Sequence, residues 1–486
     1  LNKYLTKIAY DLKEHQSRSV DKLMETGGLI LNHSTGSGKT LTILEAIKRV
    51  QELDPKGKSK QLVITPASLT TNIHKEMKKH DVGIDPSRVE SISYEKAVND
   101  AMRLSHTQYS LVALDEAHKL RNTGTKRFAK LNKLIDRADY KLLATATPIY
   151  NSPSDISPLV NLVSGEKLLP TNRGLFEGRY VTEVKSPKKG LLGSMITGPA
   201  APNTIRIKNG TELKQILQMY VDNYSLRDDP SSSESFPGST HHTIETHMSP
   251  EQEKVYKYLE GNIPYLIRMK IRNNLPLDKK ESAALNAFSM GVRQASNSIK
   301  PYTLHDNVER SPKLTKAVSE LARHAATTPN FKAVVYSNYL KAGLEDYSDA
   351  LIDARMDHIV YHGGLNKKQK DQAVLDYNSG KIPVLLISSS GAEGLDLRGT
   401  KLIQILEPHF NNSKIQQVTG RGIRFNSHAH LPEEERHVIV QHYLSTFSPG
   451  IFGPSKAKTI DQYLKQNSQG KDLVVDKINE LIKNSD

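Results

Sequence analysis

Cysteine and tryptophan are both absent from the 486 residues of this chain, and aromatic residues make up only 6% of it. The missing thiols exclude a disulfide scaffold, a thiolate nucleophile, an iron–sulfur cluster and a Cys-ligated zinc. Any metal chemistry must therefore use oxygen or imidazole ligands. No apolar run reaches the roughly 18 residues that a membrane-spanning helix needs, and no apolar signal-peptide core follows Leu1. The expectation is a soluble intracellular protein with no membrane partner, whose first residue, Leu1 in place of methionine, suggests a trimmed or renumbered chain. Acidic residues are in deficit as well: 53 Asp+Glu face 67 Lys+Arg, a formal charge of +14. Such an excess favours a polyanionic partner, nucleic acid first.

At roughly 100–200 residues per domain, the length calls for two to four domains. Short β-rich apolar runs, most followed by a polar or glycine turn and a helix-like stretch, give the rhythm of parallel α/β sheets. They gather in two clusters. The first comprises Leu29–Asn32, Gln61–Thr65, Tyr109–Leu114 and Lys141–Thr145; the second comprises Lys332–Ser337, His358–Tyr361, Pro383–Ser388, Lys401–Leu406 and Val438–His442. From about Asn151 to Arg310 the rhythm fades into helical stretches such as Glu212–Asp222 and Pro250–Lys270, with a Pro/Ser/Gly-rich break at Asp228–Ser239. The expected fold class is α/β: a parallel-sheet lobe over residues 1–160, a mainly helical or irregular insertion and linker over 161–310, a second lobe over 311–447, and terminal helices over 448–486.

Three segments carry chemistry. In "LILNHSTGSGKTLTILEAI", Leu29 to Ile47, an apolar strand feeds a glycine-bearing loop and then an amphipathic helix. Gly36, Ser37 and Gly38 would let backbone amides close around phosphate, Lys39 would hold the β- and γ-phosphates, and Thr40 would hold Mg²⁺. His33 stands where the phosphate-loop motif has its first glycine. In "YSLVALDEAHKLRN", Asp115 and Glu116 fall at the tip of a buried strand. Asp115 suits a Mg²⁺ contact, and Glu116 suits the base that orients attacking water. In "QQVTGRGIRF", Arg421 and Arg424 are three apart and share a face if helical. An arginine supplied to a transferring phosphoryl group is worth about 10³–10⁵ in rate. One lobe would then supply the phosphate loop and the other the arginines.

The order Gln16, "STGSGKT", "LVITPASLTTNIHKEM", "SISYEKA", "LDEAHKLRN", "LLATATPIYNSPSDISPLVNLV", "KAVVYSNYL", "LLISSSGAEGLDLRGT", "QQVTGRGIR" resembles the motif series of superfamily-two helicase-like ATPases. Within them it is most similar to Swi/Snf-type DNA translocases, especially compact viral and phage members, as "YSLRDD" and "MSPEQEKVYKYL" also suggest. The resemblance runs from about Leu12 to Tyr443. It implies two RecA-like lobes and ATP with Mg²⁺ as cofactors. Gln16 would read the adenine edge and Asp396 would face the nucleotide. Thr65, Pro66, Ser93 and Tyr94 in the first lobe, and Ser337, Asn338, Ser388, Ser389 and Gly391 in the second, would touch the nucleic-acid backbone. Thr145 and Thr147 would link that track to the ATP site. Hydroxyls and amides grip phosphates without reading bases, as a sequence-tolerant motor requires.

Departures from the family pattern are visible. His33-Ser34 replaces the usual Asp-Glu, "TATP" replaces "TGTP", "FNSHAH" follows "GRGIR", and chromatin-reading appendages are missing. From Glu183 to Gly210, Lys185, Lys188, Lys189, Arg206 and Lys208 face one acid, Glu183, so this stretch is either a loop laid against DNA or a solvated basic loop. Arg268, Lys270 and Arg272 raise the same choice. His428, His430, His437 and His442 alternate along a strand and are read as structural, as is the pair His241-His242.

The expected function is an ATP-dependent translocase or helicase on duplex or branched DNA, working as a monomeric motor with a possible replication, recombination or transcription partner. It would act in the cytoplasm of a prokaryotic or phage-infected cell, or at eukaryotic or viral sites of DNA metabolism. The alternatives are an RNA helicase or transcription-associated ATPase, and a motor subunit serving a nuclease. Basic side chains should gather on the side carrying Thr65, Ser93 and Ser388.

Overall fold

The computed structural model describes residues 12–483 except 35, 81–82, 147, 150–151, 185–203, 227, 230–235, 276, 304–307, 389–394, 410–411, 425, 451–452 and 454. Contacts divide the chain into two units, residues 1–228 with 471–486 and residues 229–470.

The first unit opens with helix α1 (Glu14–Thr26), which buries the stripe His15, Gln16, Ser19, Val20 and Leu23 and closes on Gly27 in the left-handed region. Strands β1 (Gly28–His33), β2 (Lys60–Thr65), β3 (Val89–Ser93), β4 (Tyr109–Asp115) and β5 (Tyr140–Thr145) follow, with helix α2 (Lys39–Glu52) between β1 and β2 and α3 (Ile156–Ser164) after β5. An antiparallel pair, β6 (Val181–Val184) and β7 (Thr204–Ile207), stands apart from the sheet. Helix α4 (Gly210–Tyr220) then leads into β8 (Val221–Tyr224). The six-stranded sheet runs β3-β2-β4-β5-β1-β8 and is parallel throughout. Alternate residues feed two cores: Ile30, Leu62, Ile64, Val112 and Leu114 pack on one face, and Leu29, Leu31, Val63, Leu111 and Ala113 on the other. Burial on both faces explains why these strands read as continuous apolar runs.

The second unit has the same plan. β9 (Gly238–His247), β10 (Ala333–Ser337), β11 (His358–Tyr361), β12 (Val384–Ser388), β13 (Leu402–Ile405) and β14 (His437–Thr446) form a parallel six-stranded sheet in the order β11-β12-β10-β13-β14-β9. Helix α5 (Asn412–Gly422) follows β13. A helical layer built from Pro250–Glu260, Tyr265–Arg272, Lys279–Phe288 and Met290–Ala295 packs its own core, in which Tyr256, Ile267, Leu285 and Val292 meet Phe447 and Tyr463. The last helix, α6 (Ile460–Lys483), contributes Ile460 and Leu464 to that core and Ile478 and Ile482 to a core of the first unit.

Two parallel-sheet lobes are thus present, and the middle of the chain supplies a strand to each. The stretch Glu212–Asp222, read as helical, is helix only to Tyr220; Val221 and Asp222 begin β8 beside β1. β9 pairs with β14 along its whole length. The terminal helices expected over 448–486 are one helix among the described residues, α6. No helix among the described residues is long and apolar enough to cross a membrane.

Candidate active site

Parallel register carries the tips of five strands to one edge of the first sheet. β1 ends at His33, β2 at Thr65, β3 at Ser93, β4 at Asp115 and β5 at Thr145. Thr65 lies opposite Ser93, Asp115 opposite Ala144, and Asn32 opposite Thr145. The carboxyl edge of a parallel sheet is where α/β proteins bind ligands.

At that edge α2 starts at Lys39, directly after Gly38. Gly38 has φ +87°, a left-handed conformation that favours glycine, and a Cβ there would lie 2.3 Å from Gln16 Nε2 and displace that side chain from the loop. Gln16 donates through Nε2 to the carbonyls of Ser37 and Gly38, both at 3.3 Å, while its Oε1 accepts from the Lys13 amide at 2.9 Å. Lys39 Nζ donates to the carbonyls of His33 at 2.8 Å and Ser34 at 3.1 Å. Ser37 Oγ is buried with no hydrogen-bond partner among the described residues. A helix N-terminus, an ammonium folded over the loop and an unsatisfied hydroxyl together suit a chain of phosphates.

The two carboxylates stand where β4 turns. Burial, and then the charge of Glu116, push the Asp115 carboxyl above its usual range, while the Lys39 ammonium and a bond from the Glu116 amide pull it down. The action of Lys39 on Asp115 shows that the phosphate loop and the carboxylate pair share one electrostatic site. A divalent cation beside Asp115 and the half-exposed Thr40 would remove the penalty on the carboxylate, so the residues fit Mg²⁺. Glu116 is held at φ 54°. Its Oε2 lies 3.3 Å from His118 Nδ1, which is also 3.3 Å from Thr145 Oγ1. His118 was not among the sequence candidates although it belongs to the DEAH tetrapeptide, and it ties Glu116 to the tip of the neighbouring strand.

The residues expected to touch nucleic acid have inward-facing bonds. Tyr94 is fully buried, its hydroxyl donates to the Asp115 carbonyl at 2.7 Å, and burial pushes the phenol well up. Ser93 Oγ accepts from the Lys96 amide at 3.1 Å and caps the helix Tyr94–Asn99. Thr65 and Thr145 are buried, and Pro66 is half-buried. In the second unit, β10 ends at Ser337 opposite Ser388 of β12, and both serines are buried. Ser337 Oγ donates to both oxygens of Glu407, at 3.1 and 2.9 Å. Asn338 reaches Glu407 through its amide and through Nδ2 at 3.0 Å, and Asn297 Nδ2 does so at 2.6 Å. Glu407, unforeseen from the sequence, is a buried carboxylate that collects the tips of two strands and a helical turn. Thr147, Lys185, Lys188, Lys189, Ser389 and Gly391 lie outside the described residues.

α5 ends at Gly422, so Arg421 sits in its last turn and Arg424 lies beyond it, off the helical face the spacing had suggested. Arg424 Nη1 donates to the Leu395 carbonyl at 3.0 Å and to Asp396 Oδ1 at 3.4 Å, which brings two of the sequence candidates together. The histidines are structural in their contacts: His428 bonds the Thr400 carbonyl at 2.7 Å, His437 bonds Thr240 at 2.7 Å, and His442 lies 3.4 Å from His241.

Comparison with known proteins agrees with this geometry. The SNF2-related domain matches residues 86–301, the helicase conserved C-terminal domain residues 313–426, and the type III restriction enzyme res subunit residues 9–150. A putative ATP-dependent RNA helicase of Acanthamoeba polyphaga mimivirus is 31% identical, over 97% of this chain and 96% of the relative. A termination factor NPH-I homolog of African swine fever virus is 24% identical, over 99% of this chain and 79% of the relative. A nucleoside triphosphatase I of Heliothis armigera entomopoxvirus is 23% identical over the same shares, 99% and 79%. With its phosphate loop and paired carboxylates on one sheet edge and near full-length similarity to these proteins, the chain belongs to the superfamily-two helicase-like ATPases, with an SNF2-related domain followed by a helicase C-terminal domain.

Proposed function

We propose that this chain is an ATP-driven motor that moves along duplex or branched DNA. The observation that carries the reading is the convergence of Lys39, Asp115 and Glu116 at one edge of the first sheet. Gly36, Ser37, Gly38 and Lys39 hold the phosphates of ATP, and Gln16 faces the base. Thr40 and Asp115 hold Mg²⁺, which would neutralise charge on the phosphate oxygens. Glu116, steadied by His118, directs water and takes its proton. Arg421 and Arg424 would stabilise the charge on the transferring phosphoryl, and Asp396, which accepts from Arg424 at 3.4 Å, would face the nucleotide.

Burial bears on the residues proposed to meet nucleic acid. Thr65, Tyr94, Ser337 and Ser388 are buried, so they serve the track by fixing the backbone at the strand tips. Pro66, Ser93 and Asn338 remain nearer the surface, and the helix Asn72–His80, two turns after β2, exposes Lys75, Lys78 and Lys79. Ser389, Gly391, Lys185, Lys188 and Lys189, which lie outside the described residues, are proposed as nucleic-acid contacts from the sequence alone. Phosphate contacts of this kind make binding fall with salt. A second reading, a transcription-associated or RNA-dependent ATPase, is favoured by the names of the viral relatives, a termination factor homolog and a putative RNA helicase.

The deciding measurement is ATP turnover against single-stranded, duplex, forked and four-way DNA and against RNA, at two salt concentrations. Duplex or forked DNA is expected to stimulate most, and Lys39→Ala and Glu116→Gln to abolish turnover in a folded protein. Stimulation by RNA alone would establish the second reading, and normal turnover by Glu116→Gln would sink both.

A further inference from the structure

β8 lies outside every segment used so far for nucleotide chemistry, yet its side chains reach both elements that frame the phosphate loop. Asp222 is only 5% exposed. Its Oδ2 accepts from Ser19 Oγ at 2.8 Å and from His33 Nε2 at 2.7 Å, and its Oδ1 accepts from Arg18 Nε at 3.1 Å. Arg18 and Ser19 belong to α1, and His33 is the last residue of β1, at the position where the motif has glycine. Two residues on, the Tyr224 ring stacks on His15 with 3.4 Å between centroids and 5° between planes. The Tyr224 carbonyl accepts from the Ser34 amide at 2.9 Å, and Ser34 Oγ accepts from the Leu226 amide at 3.0 Å.

These contacts continue into the loop. His15 Nε2 lies 3.0 Å from the Ser37 carbonyl, beside the two bonds that Gln16 makes to Ser37 and Gly38. From β8, one path runs through Asp222 and Tyr224 to α1 and on to the far side of the loop. The other runs through His33 and Ser34 to its near side. Simple strand cohesion would not need this, because the parallel ladder from Ile30 to His33 already joins β1 to β8. The side chains reach beyond the ladder to the helix that carries His15 and Gln16.

Charge state supports the arrangement. Burial outweighs the neighbouring carboxylate and lowers the His33 pKa, so the imidazole is neutral and donates through Nε2. His33 Nδ1 is buried with no partner among the described residues, which suits a bare acceptor and not a second N–H. Burial alone would raise Asp222, but the hydrogen bond from the neutral His33 ring, the Arg18 charge and the hydrogen bond from Ser19 hold it below the usual carboxylate range. A permanent carboxylate thus stands at the hub, with Arg18 as its counter-ion.

We infer that Asp222 and His33 are positioning residues for the nucleotide: they hold α1 against the phosphate loop so that His15 and Gln16 grip Ser37 and Gly38, and so set affinity and base preference for a purine nucleoside triphosphate. The inference rests on the nucleotide reading of the loop and of Gln16 given above. It assigns selectivity to a strand that the nucleotide motifs do not include.

The test is equilibrium binding of ATP and GTP in a Glu116→Gln background, together with KM and kcat in the otherwise native chain. Asp222→Ala is expected to weaken ATP binding about tenfold, a shift of 1.4 kcal/mol, with GTP weakened less and kcat at saturating ATP held within about twofold. Asp222→Asn keeps an acceptor for His33 and should restore most of the loss. In a Gln16→Ala background, Asp222→Ala should leave the ATP-to-GTP ratio where Gln16→Ala alone puts it, because both act through one contact set. Should removal of the buried carboxylate prevent folding, Ser19→Ala and Tyr224→Leu loosen the same hub without touching that charge and carry the same expectation in smaller degree. Unchanged affinities, or equal losses for ATP and GTP, in variants that unfold as cooperatively as the native chain overturn the inference. Failure of the native chain itself to bind either nucleotide, or native binding by Lys39→Ala, would overturn the nucleotide reading beneath it.

Discussion

Tyr94 fixes a peptide at the point where the site turns. Its hydroxyl donates to the Asp115 carbonyl at 2.7 Å, and Lys119 and Arg127 lie 5.5 and 5.6 Å from its ring centre. The next residue, Glu116, has φ 54°, a conformation that side-chain-bearing residues seldom adopt and that neighbouring bonds must hold. Tyr94→Phe removes the bond without changing the ring. A lost buried hydrogen bond costs about 1 kcal/mol, and the freed Glu116 should lower ATP turnover several-fold at nearly constant KM. Steady-state kinetics beside thermal unfolding separate the two effects, and unaltered kcat in Tyr94→Phe would remove the phenol from the site's support. The sequence marks Tyr94 by its place in "SISYEKA" but cannot name its partner, because the bond joins the first residue of a helix to the end of a strand 21 positions away. Glu407 is harder still to foresee. A single carboxylate between the apolar end of β13 and Pro408 gives no local signal, and the donors that define it come from Asn297, Ser337 and Asn338.

Between elements, β1 approaches the C-terminal turn of α3 closely at Gly28. A Cβ built on Gly28 would sit 2.1 Å from the Val163 carbonyl oxygen and 2.7 Å from its carbon. Both obstacles are backbone, so no rotamer change relieves them. Gly28→Ala must push the helix off the strand that leads into the phosphate loop, at a cost of about 3 kcal/mol or more. Gly178, inside the helix Arg173–Tyr180, has nothing within 4 Å of such a Cβ, and Gly178→Ala should instead stabilise by about 0.5–1 kcal/mol. Denaturant midpoints of the two variants are expected to move in opposite directions; a stable Gly28→Ala protein would contradict the close approach. The same elements show what was legible. Strands enclosed on both faces, β1, β2, β4, β5, β10, β12 and β13, are apolar enough to be read from the sequence. Of the strands not read from the sequence, β6 and β7 stand outside both main sheets, and β3, β8 and β9 are sheet edges with the sequences VESIS, VDNY and GSTHHTIETH. These edge strands pair on one side only and take their conformation from that neighbour, so the polar residues in them carry a weak signal of their own. The phosphate loop and DEAH segment were readable because their chemistry is local, whereas the hub of Asp222 spans α1, β1 and β8 and exists only once β8 has docked.

Across the whole molecule, buried histidines set an acid limit to stability in both units. Burial lowers His15 to about 4 and also lowers His33 in the first unit; in the second it lowers His428 to about 4 and His442 to about 3. In the unfolded chain each of these rings takes a proton as pH falls through about 6.5. In the folded chain they do not, so the unfolded state binds more protons and stability falls from pH 6.5 down to the lowered values. Asp222 contributes in a separate window: its stabilisation is complete above the ordinary carboxylate value of 3.8 and is lost as pH drops toward about 2. Acid lability should therefore begin at the histidines, well before the carboxylates titrate. With 18 histidines and a net charge already at +14, protonation of the exposed rings adds self-repulsion in the same direction. Thermal unfolding followed from pH 7.5 to 5 is expected to show the midpoint dropping by about 5 °C or more, which corresponds to roughly 1–2 kcal/mol in units of this size. His442→Asn should flatten the acid limb of the second unit, because the substituted side chain has no proton to gain. A midpoint that stays level between pH 7 and 5 would mean that these rings are protonated equally in the folded and unfolded chain, and that burial does not hold them neutral.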